Sequence, residues 1–391
     1  MKSIIINIGI IILKIIYLPL KCLKTKNQIV YISRQFNHAN LDFKLLINEI
    51  ERINPKYKNV VLAKRMEKGI LNNIKYMLHM LKQMYYIATS KIVILDSYCI
   101  VASVLKHKKD TKIIQMWHAL GAIKKFGYQT IGKQSGADSK IAELMCMHKN
   151  YDVVLAPSKI TQKCYEEAFN VGPEKIKLIG LPRIDFVLTK KDTSKIYTKY
   201  PELQEKPNVL YVPTFRKGKK IRLHKLIQEF DTEKYNLVIK LHPLDQKEYE
   251  YIQKPGVIFD NMFNSYELFD IADKIITDYS SLAIEASLLN KPIYFYTYDL
   301  KEYEQDPGLN FNYFKEPVGK YMAKTPKKLL RLLDEEYDYT ILEKFKNKYI
   351  TVNTNNCTNQ LSKYILELAE NEYKEKVEEK YYTDSKEKLN I

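Results

Sequence analysis

The residues best suited to chemistry in this sequence lie around His118. This histidine follows Ile113–Trp117, a short apolar run that ends in the chain's only tryptophan, and it precedes a small-residue turn and the basic pair Lys124 and Lys125. A neutral imidazole can take a proton from a hydroxyl near pH 7, and lysines can hold a phosphate. The segment therefore has the groups for transfer chemistry at a phosphorus centre. A histidine in an ordinary loop is the alternative interpretation.

A second set of polar groups comes after apolar runs in the second half of the chain. They are Arg216 after Val209–Pro213, Lys240 and His242 at the end of Leu237–Leu241, and Asp278, Ser280, Ser281 and Glu285 after Lys274–Thr277. Arginine forms bidentate bonds with phosphate, and serines at a helix start offer hydroxyl and N–H groups to an anion. Together these residues predict a nucleotide-diphosphate pocket at one sheet edge. Taken singly, the serines could be a helix cap, Lys240 and His242 a strand end, and Glu285 a surface residue.

The elements that must position these residues alternate between short β-branched runs and segments of helical period. One such series runs from Gln28 to Leu181 and another from Val209 to Tyr298, with a polar stretch between them. This alternation predicts an α/β protein with two Rossmann-like lobes, each a doubly wound parallel sheet, and a cleft between their carboxyl edges. The predicted divisions are a membrane-associated helix at 1–26, an acceptor lobe at 27–190, a linker at 191–207, a nucleotide-donor lobe at 208–345 and a helical tail at 346–391.

The N-terminal segment Ile4–Leu20 is almost wholly aliphatic. Asn7, Lys14 and Lys21 recur there every seven positions, which places them on one narrow stripe of a helix. No small-residue cleavage site follows, so a cleaved signal peptide is rejected, and the segment is at the short limit for crossing a bilayer. We predict a helix lying on the membrane, with a single span or a buried helix as alternatives. The segment Ile70–Ala88 is predicted to be a crossover helix, with a membrane-facing acceptor surface as its alternative.

The composition narrows the range of partners. The 391 residues carry a net charge of +17, which favours an anionic membrane, a polyanion or a phosphorylated substrate, with compositional drift toward lysine as the alternative. Five scattered cysteines are typical of reduced thiols in the cytosol. The G-x-G-x-x-G and Walker-type phosphate loops are absent, so a dinucleotide oxidoreductase and a P-loop kinase are not indicated. No nucleic-acid-binding motif is present either, and no nucleic-acid partner is expected.

Five short motifs, taken in order, carry a family resemblance. They are Trp117-His118 with Gly121 and Lys125, Gly180-Leu181-Pro182-Arg183, Pro213-Thr214-Phe215-Arg216, Lys240-Leu241-His242-Pro243, and Thr277-Asp278-Tyr279-Ser280-Ser281 with Glu285. Over about Gln115 to Tyr298 the chain resembles the CDP-glycerol glycerophosphotransferases, the teichoic acid and capsule polyol-phosphate transferases of bacteria. The resemblance implies a GT-B fold and a CDP-glycerol or CDP-ribitol donor in the second lobe. It also implies a lipid-linked or oligosaccharide acceptor, met at the cytoplasmic face of the membrane by a peripheral or N-terminally anchored enzyme.

The resemblance also implies residue roles. His118 matches the base that activates the acceptor hydroxyl, and His242 matches the histidine beside the donor pyrophosphate. The matching donor-binding positions are Trp117, Gly121, Lys125, Arg183, Thr214, Arg216, Lys240, Ser280, Ser281 and Glu285. No Asp-x-Asp lies beside these motifs, so a metal is not required in direct contact with the substrates. No cofactor is expected either. Ala119 stands where the family more often has glycine, which leaves the polyol and the acceptor less defined than the reaction class.

Two other functions remain open on sequence grounds. A GT-B glycosyltransferase would hold a UDP- or GDP-sugar in the same pocket and use His118 for a sugar acceptor. A non-enzymatic basic protein at the membrane would bind an anionic polymer through charge. Its affinity for the polymer would fall steeply with salt and would not change when CDP is added.

Overall fold

The computed structural model describes residues 2–67, 69–216, 220–242, 245–249 and 251–370. The chain clusters into two compact units. Of the described residues, the first unit contains those up to His118, Gly127–Asp185 and 352–370, and the second contains those within Ala119–Phe126 and Phe186–Thr351. The last part of the predicted helical tail, residues 371–391, lies outside the described residues.

Each unit is built on a parallel sheet of six strands. The first sheet consists of β1 (Lys26–Ser33), β2 (Lys58–Ala63), β3 (Ser90–Leu95), β4 (Lys112–Gln115), β5 (Val153–Ala156) and β6 (Ile176–Leu178). The second consists of β7 (Asn208–Tyr211), β8 (Asn236–Ile239), β9 (Val257–Phe259), β10 (Lys274–Thr277), β11 (Ile293–Tyr296) and β12 (Met322–Ala323). The strand orders are β2-β1-β3-β4-β5-β6 and β12-β11-β10-β7-β8-β9. Both orders reverse direction once, between β1 and β3 and between β7 and β10, and such switch points are where α/β sheets bind ligands.

Helices connect the strands and pack against the two sheets. They are α1 (Lys2–Lys21), α2 (Leu41–Ile53), α3 (Ile70–Thr89), α4 (Ile100–Val104), α5 (Ser139–Leu144), α6 (Lys159–Phe169), α7 (Arg183–Leu188), α8 (Ser194–Lys199), α9 (Leu223–Glu229), α10 (Ser265–Ile271), α11 (Leu282–Ala286), α12 (Leu300–Gln305), α13 (Pro326–Asp334), α14 (Tyr339–Tyr349) and α15 (357–370). Local sequence explains several of their starts, because Asn40 caps α2, Ser158 caps α6, and Asn264 forms a capping box with Glu267 in α10.

The strands confirm the predicted fold class. Residues Ile29–Ile32 of β1 and Ile293–Phe295 of β11 are at most 1% exposed, as expected for parallel strands that are buried on both faces. The short β12 was not predicted, because two residues carry no periodicity. After β8 the chain forms a 3-10 turn at Gln246–Glu248. There the side chain of Tyr249 turns into the core, and its hydroxyl bonds the backbone of Ile221.

The chain divides at other positions than the sequence suggested. The predicted linker 191–207 contains α8 and a 3-10 turn, Pro201–Gln204, and both belong to the second unit. At the other end, α15 packs in the first unit, where the carboxylate of Asp185 accepts bonds from the N–H groups of Cys357 and Thr358. Close approach of α15 needs Gly180, since an added Cβ would lie only 2.4 Å from the Cys357 sulfur.

Helices α1 and α3 pack together in the first unit and expose many apolar side chains, which we call the α1–α3 apolar surface. Its members are Ile4, Ile5, Ile8, Ile11, Ile12, Ile15, Ile16 and Leu18 of α1, and Ile70, Leu71, Ile74, Met77 and Leu78 of α3. The opposite side of α1 buries Ile10 and Tyr17, and the C-terminal half of α3 buries Met80, Met84 and Ile87. By length and composition alone, α1 is also sufficient to cross a membrane.

Candidate functional site

In the first unit His118 lies beyond the end of β4 and is held by the end of β3. Its Nδ1 lies 2.9 Å from the carbonyl oxygen of Asp96. A carbonyl oxygen can only accept, so Nδ1 carries the proton, and the lone pair of the neutral imidazole is on Nε2. A histidine oriented through one nitrogen by a fixed acceptor is arranged to act as a base through the other.

The residue before His118 adopts an uncommon backbone conformation. Trp117 has a φ of 60°, in the left-handed region that bulky side chains rarely occupy. Such a conformation costs on the order of 1–3 kcal/mol and persists where the surroundings impose it. Here the Trp117 N–H donates to the side chain of Gln115 at 2.9 Å, and the indole packs edge-on against Phe169 with ring centroids 5.2 Å apart. Trp117 thus turns the chain sharply and aims His118.

Arg183 secures the backbone of His118 from the other side. The arginine is 9% exposed and makes an ion pair with Asp42, which is itself 1% exposed. Its Nε donates to Asp42 at 2.9 Å, and its Nη1 donates to the carbonyl oxygen of His118 at 2.9 Å. These bonds occupy the guanidinium in a positioning role, and the donor contact implied for Arg183 by the family resemblance stays a prediction.

We expect Arg183→Lys to lower kcat by roughly tenfold to a hundredfold while the KM for the donor changes little. A lysine keeps the charge near Asp42 but cannot also bond the His118 carbonyl, and small displacements of a catalytic group are costly. Steady-state kinetics with melting temperature as the control for folding measures this split. Equal kcat for variant and wild type, or a rise in KM alone, would contradict the positioning role.

The sequence reasoning missed Arg34 and the carboxyl group of Asp96, although both follow strands. Asp96 is fully buried and accepts bonds from Asn40 and Ser97, each at 2.8 Å, which fixes the end of β3 next to β1. Arg34 follows β1, and its guanidinium lies over the ring of Tyr98, 5.4 Å from the centroid. Both residues therefore lie at the switch point of the first sheet. The signal that could have found them is the one used for His118, a polar residue directly after a buried strand.

In the second unit the switch point holds a buried charge cluster. Arg216, 3% exposed, lies 2.8 Å from a carboxylate oxygen of Asp278 and 2.7 Å from one of Asp299. The rings of Tyr298 and Tyr303 face the guanidinium, with centroids 4.8 and 5.5 Å away. Arg216 is thus enclosed by carboxylates and aromatic rings, and its predicted phosphate contact remains untested. Asp299 was missed from the sequence, although it too follows a strand.

Asp278 joins the loops after β7 and β10. One of its carboxylate oxygens accepts the N–H of Thr214 at 2.8 Å and the N–H of Tyr279 at 2.7 Å. The hydroxyl oxygen of Thr214 is buried and has no hydrogen-bond partner among the described residues. A buried unsatisfied hydroxyl at a sheet edge is a group that a ligand can satisfy.

Ser280 and Ser281 precede α11 as predicted, and both are partly exposed. The hydroxyl of Ser280 accepts the N–H of Leu282 at 3.2 Å, so it acts as a local cap. Glu285 is 2% exposed and accepts a bond from the Tyr266 hydroxyl at 2.7 Å. The helix is only five residues long, which limits the dipole that its start can offer to an anion.

Lys240 and His242 lie after β8, also at the carboxyl edge of the second sheet. Lys240 bonds the carboxylate of Asp260 at 2.8 Å. The His242 ring is partly exposed and packs against Phe215, with centroids 4.6 Å apart. Pro243, the last residue of that predicted motif, lies outside the described residues.

The segment after His118 packs in the second unit. The Lys125 N–H donates to Gly308 at 2.9 Å, and Lys124 forms an isolated antiparallel bridge with Leu309. Burial lowers the pKa of Lys124, while Asp278 raises it and Arg216 lowers it further. Lys124 therefore lies close to the buried charges of Asp278 and Arg216.

The predicted site residues thus form two sets. Trp117, His118 and Arg183 lie together in the first unit, and the second contains Gly121, Lys125, Thr214, Arg216, Lys240, His242, Ser280, Ser281 and Glu285. Within the part of the chain that the structure describes, no group of three or more His, Cys, Asp or Glu side chains is arranged to hold a metal. The arrangement in the first unit offers a base, and that in the second offers polar and basic groups at the carboxyl edge of a sheet, where α/β proteins bind ligands.

Known proteins resemble the chain over most of its length. It is 29% identical over 326 residues to the teichoic acid ribitol-phosphate primase of Bacillus spizizenii, covering 80% of this chain and 84% of the primase. It is 30% identical over 341 residues to the teichoic acid glycerol-phosphate primase of Bacillus subtilis, covering 82% and 88%. A solved structure of the wall teichoic acid polymerase TagF superposes with a TM-score of 0.71 at 18% identity, covering 95% of this chain and 98% of that one. The fold is therefore GT-B-like.

The sequence profile of one protein family also matches residues 15–367, which include both sheets and all the predicted site residues. The chain belongs to the CDP-glycerol:poly(glycerophosphate) glycerophosphotransferase family.

Proposed function

We propose that this transferase moves glycerol phosphate or ribitol phosphate from a CDP-activated donor to a hydroxyl of a lipid-linked teichoic acid acceptor, at the cytoplasmic face of the membrane. Family membership supports the reaction class. The assignment of His118 as the base rests on the bond from its Nδ1 to the Asp96 carbonyl oxygen, because this bond makes Nε2 the basic nitrogen.

In the proposed reaction, Nε2 of His118 takes the proton of the acceptor hydroxyl as the oxygen attacks the β-phosphorus of the donor. A new P–O bond forms, the bond from that phosphorus to the bridging oxygen breaks, and CMP leaves with the electron pair. The product is a phosphodiester, and the proton remains on His118 until it is released to solvent. Charge on the transferring oxygens needs positive or hydrogen-bonding partners, as in other phosphoryl transfers.

The second unit is proposed to bind the donor. Thr214 offers a buried hydroxyl, Ser280 and Ser281 are partly exposed at the same sheet edge, and Lys125 and His242 are the proposed partners of the pyrophosphate. Arg216 is assigned a supporting role, because Asp278 and Asp299 already occupy its guanidinium. It would support donor binding indirectly, by holding in place the loops that carry Thr214, Asp278 and Asp299.

Membrane attachment is proposed to use the α1–α3 apolar surface. A contiguous exposed apolar surface of this kind is uncommon on a soluble protein and marks an interaction site. The hydroxyl of Tyr17 bonds His107 at 2.8 Å, and this bond holds α1 against the first unit. A spanning α1 would have to give up that contact, so the geometry supports a helix that lies on the membrane.

The test of the proposed function is a panel of donors and nucleotides. CMP and CDP should raise the melting temperature by several degrees, because a ligand at 100 times its Kd stabilises the folded state by about 2.7 kcal/mol. UDP and GDP should have little effect, and labelled polyol should transfer from CDP-glycerol or CDP-ribitol. Stabilisation by UDP or GDP, with transfer from a nucleotide sugar, would overturn the proposal in favour of a glycosyltransferase.

A further inference from the structure

A large basic cavity lies in the first unit, at the opposite sheet edge from His118. Its volume is about 870 Å³, and its lining includes seven lysines against two aspartates. The walls come from α1, the loop between α4 and β4, the start of β4 and the segment before β5. Because Lys112 and Ile113 line the cavity at the amino end of β4, while His118 follows its carboxyl end, the cavity is separate from the catalytic edge.

The cavity borders the α1–α3 apolar surface. Lys14 of α1 lines it, and on the helix Lys14 neighbours Ile11 and Leu18, which are 55% and 63% exposed. The contact between Tyr17 and His107 holds α1 at the cavity, since His107 also lines the wall. On the same wall Lys108 donates to the carbonyl oxygen of Leu23 at 2.7 Å, just after α1 ends. The basic cavity and the exposed apolar side chains of α1 are therefore adjacent, and these hydrogen bonds hold them together.

This combination fits an anionic phospholipid. Acyl chains would lie along the apolar side chains of α1, and the phosphate would enter the cavity among Lys14, Lys106, Lys109 and Lys149, all of which are exposed. The volume lies within the range of pockets that hold ligands of this size. Basic pockets beside membrane helices commonly bind anionic headgroups, whereas an uncharged or zwitterionic headgroup would leave the excess positive charge uncompensated.

We propose that this cavity binds the phosphate-containing headgroup of an anionic membrane lipid and makes attachment of the enzyme selective for anionic membranes. The inference rests on the membrane attachment proposed above, and it adds the lipid class and the site. It is independent of the donor and of the transfer reaction.

The test measures binding of the full chain to vesicles of phosphatidylcholine alone and of phosphatidylcholine mixed with phosphatidylglycerol. The cavity variant is Lys106→Glu/Lys109→Glu, and the matched control is Lys44→Glu/Lys163→Glu, which changes charge equally at two exposed lysines of the same unit outside the cavity. We expect wild type to prefer the mixed vesicles. The cavity variant should bind them roughly 30-fold more weakly, and the control should stay close to wild type.

The outcomes separate the two proposals. Equal loss in the cavity and control variants would overturn the headgroup site in favour of diffuse charge attraction. A wild type that binds both vesicles equally would also overturn the headgroup site, because attachment would then not depend on lipid charge. Failure of wild type to bind either vesicle would overturn the membrane attachment itself. A second readout is thiol labelling of Cys146, a free cysteine in the cavity wall, with Cys164 as reference. Mixed vesicles should slow labelling at Cys146 but not at Cys164, and unchanged labelling at Cys146 would count against the site.

Discussion

Replacing His118 with alanine is expected to lower kcat for polyol-phosphate transfer by roughly a hundredfold to ten-thousandfold, the range of general-base catalysis. The variant loses the imidazole whose Nδ1 is held by the Asp96 carbonyl. Donor affinity should stay near that of wild type, because the proposed role of His118 concerns the acceptor proton. The measurement is the rate of CMP release under saturating donor and acceptor, together with the Kd for CDP.

The matched control is His224→Ala, an exposed histidine of the second unit that bonds the hydroxyl of Tyr251. It should retain nearly full activity. A His118→Ala enzyme that keeps more than about half of its turnover would exclude the general-base role. A loss accompanied by a large fall in melting temperature would instead assign His118 to structure.

Arg216→Met is expected to reduce the free energy of unfolding by about 3–5 kcal/mol, the usual cost of removing one member of a buried ion pair. The substitution would leave the carboxylates of Asp278 and Asp299 buried without their cation, and these side chains are 0% and 6% exposed in the ion pairs. Urea denaturation measures the change. The double variant Arg216→Met/Asp299→Asn should recover part of the loss, because one uncompensated charge is removed.

Arg331→Met is the control for this stability prediction. Arg331 in α13 pairs with Glu335, the C-cap residue of that helix, and their side chains are 69% and 48% exposed. Solvent screens such a pair, so the expected change is within about 1 kcal/mol. Similar losses in the Arg216 and Arg331 variants would show that the charge cluster of the second unit contributes no more than a surface ion pair.

Local patterns in the sequence were sufficient to predict the fold class and the sheet edge at which the reactive residues are expected. Parallel strands buried on both faces produce short β-branched runs, and helices between them produce helical period, so Ile29–Ser33 and Val209–Pro213 could be recognised as strands without their partners. A polar residue directly after such a run marks the carboxyl edge of a sheet. His118 was found in this way, and the same rule would have identified Arg34 and Asp299.

The partners of those residues were decided only by tertiary structure. Arg183 and Asp42 are 141 positions apart, and Arg216 and Asp299 are 83 apart, so no local pattern relates them. Tertiary packing brings each pair together and gives both arginines partners in the backbone and loops, while the donor contacts predicted for them stay predictions. Sequence determined which residue types stand at the sheet edges, because local periodicity encodes strand ends. Which of them bond one another depended on the packing of distant segments, because burial of a charge requires a partner and only the tertiary fold brings that partner near.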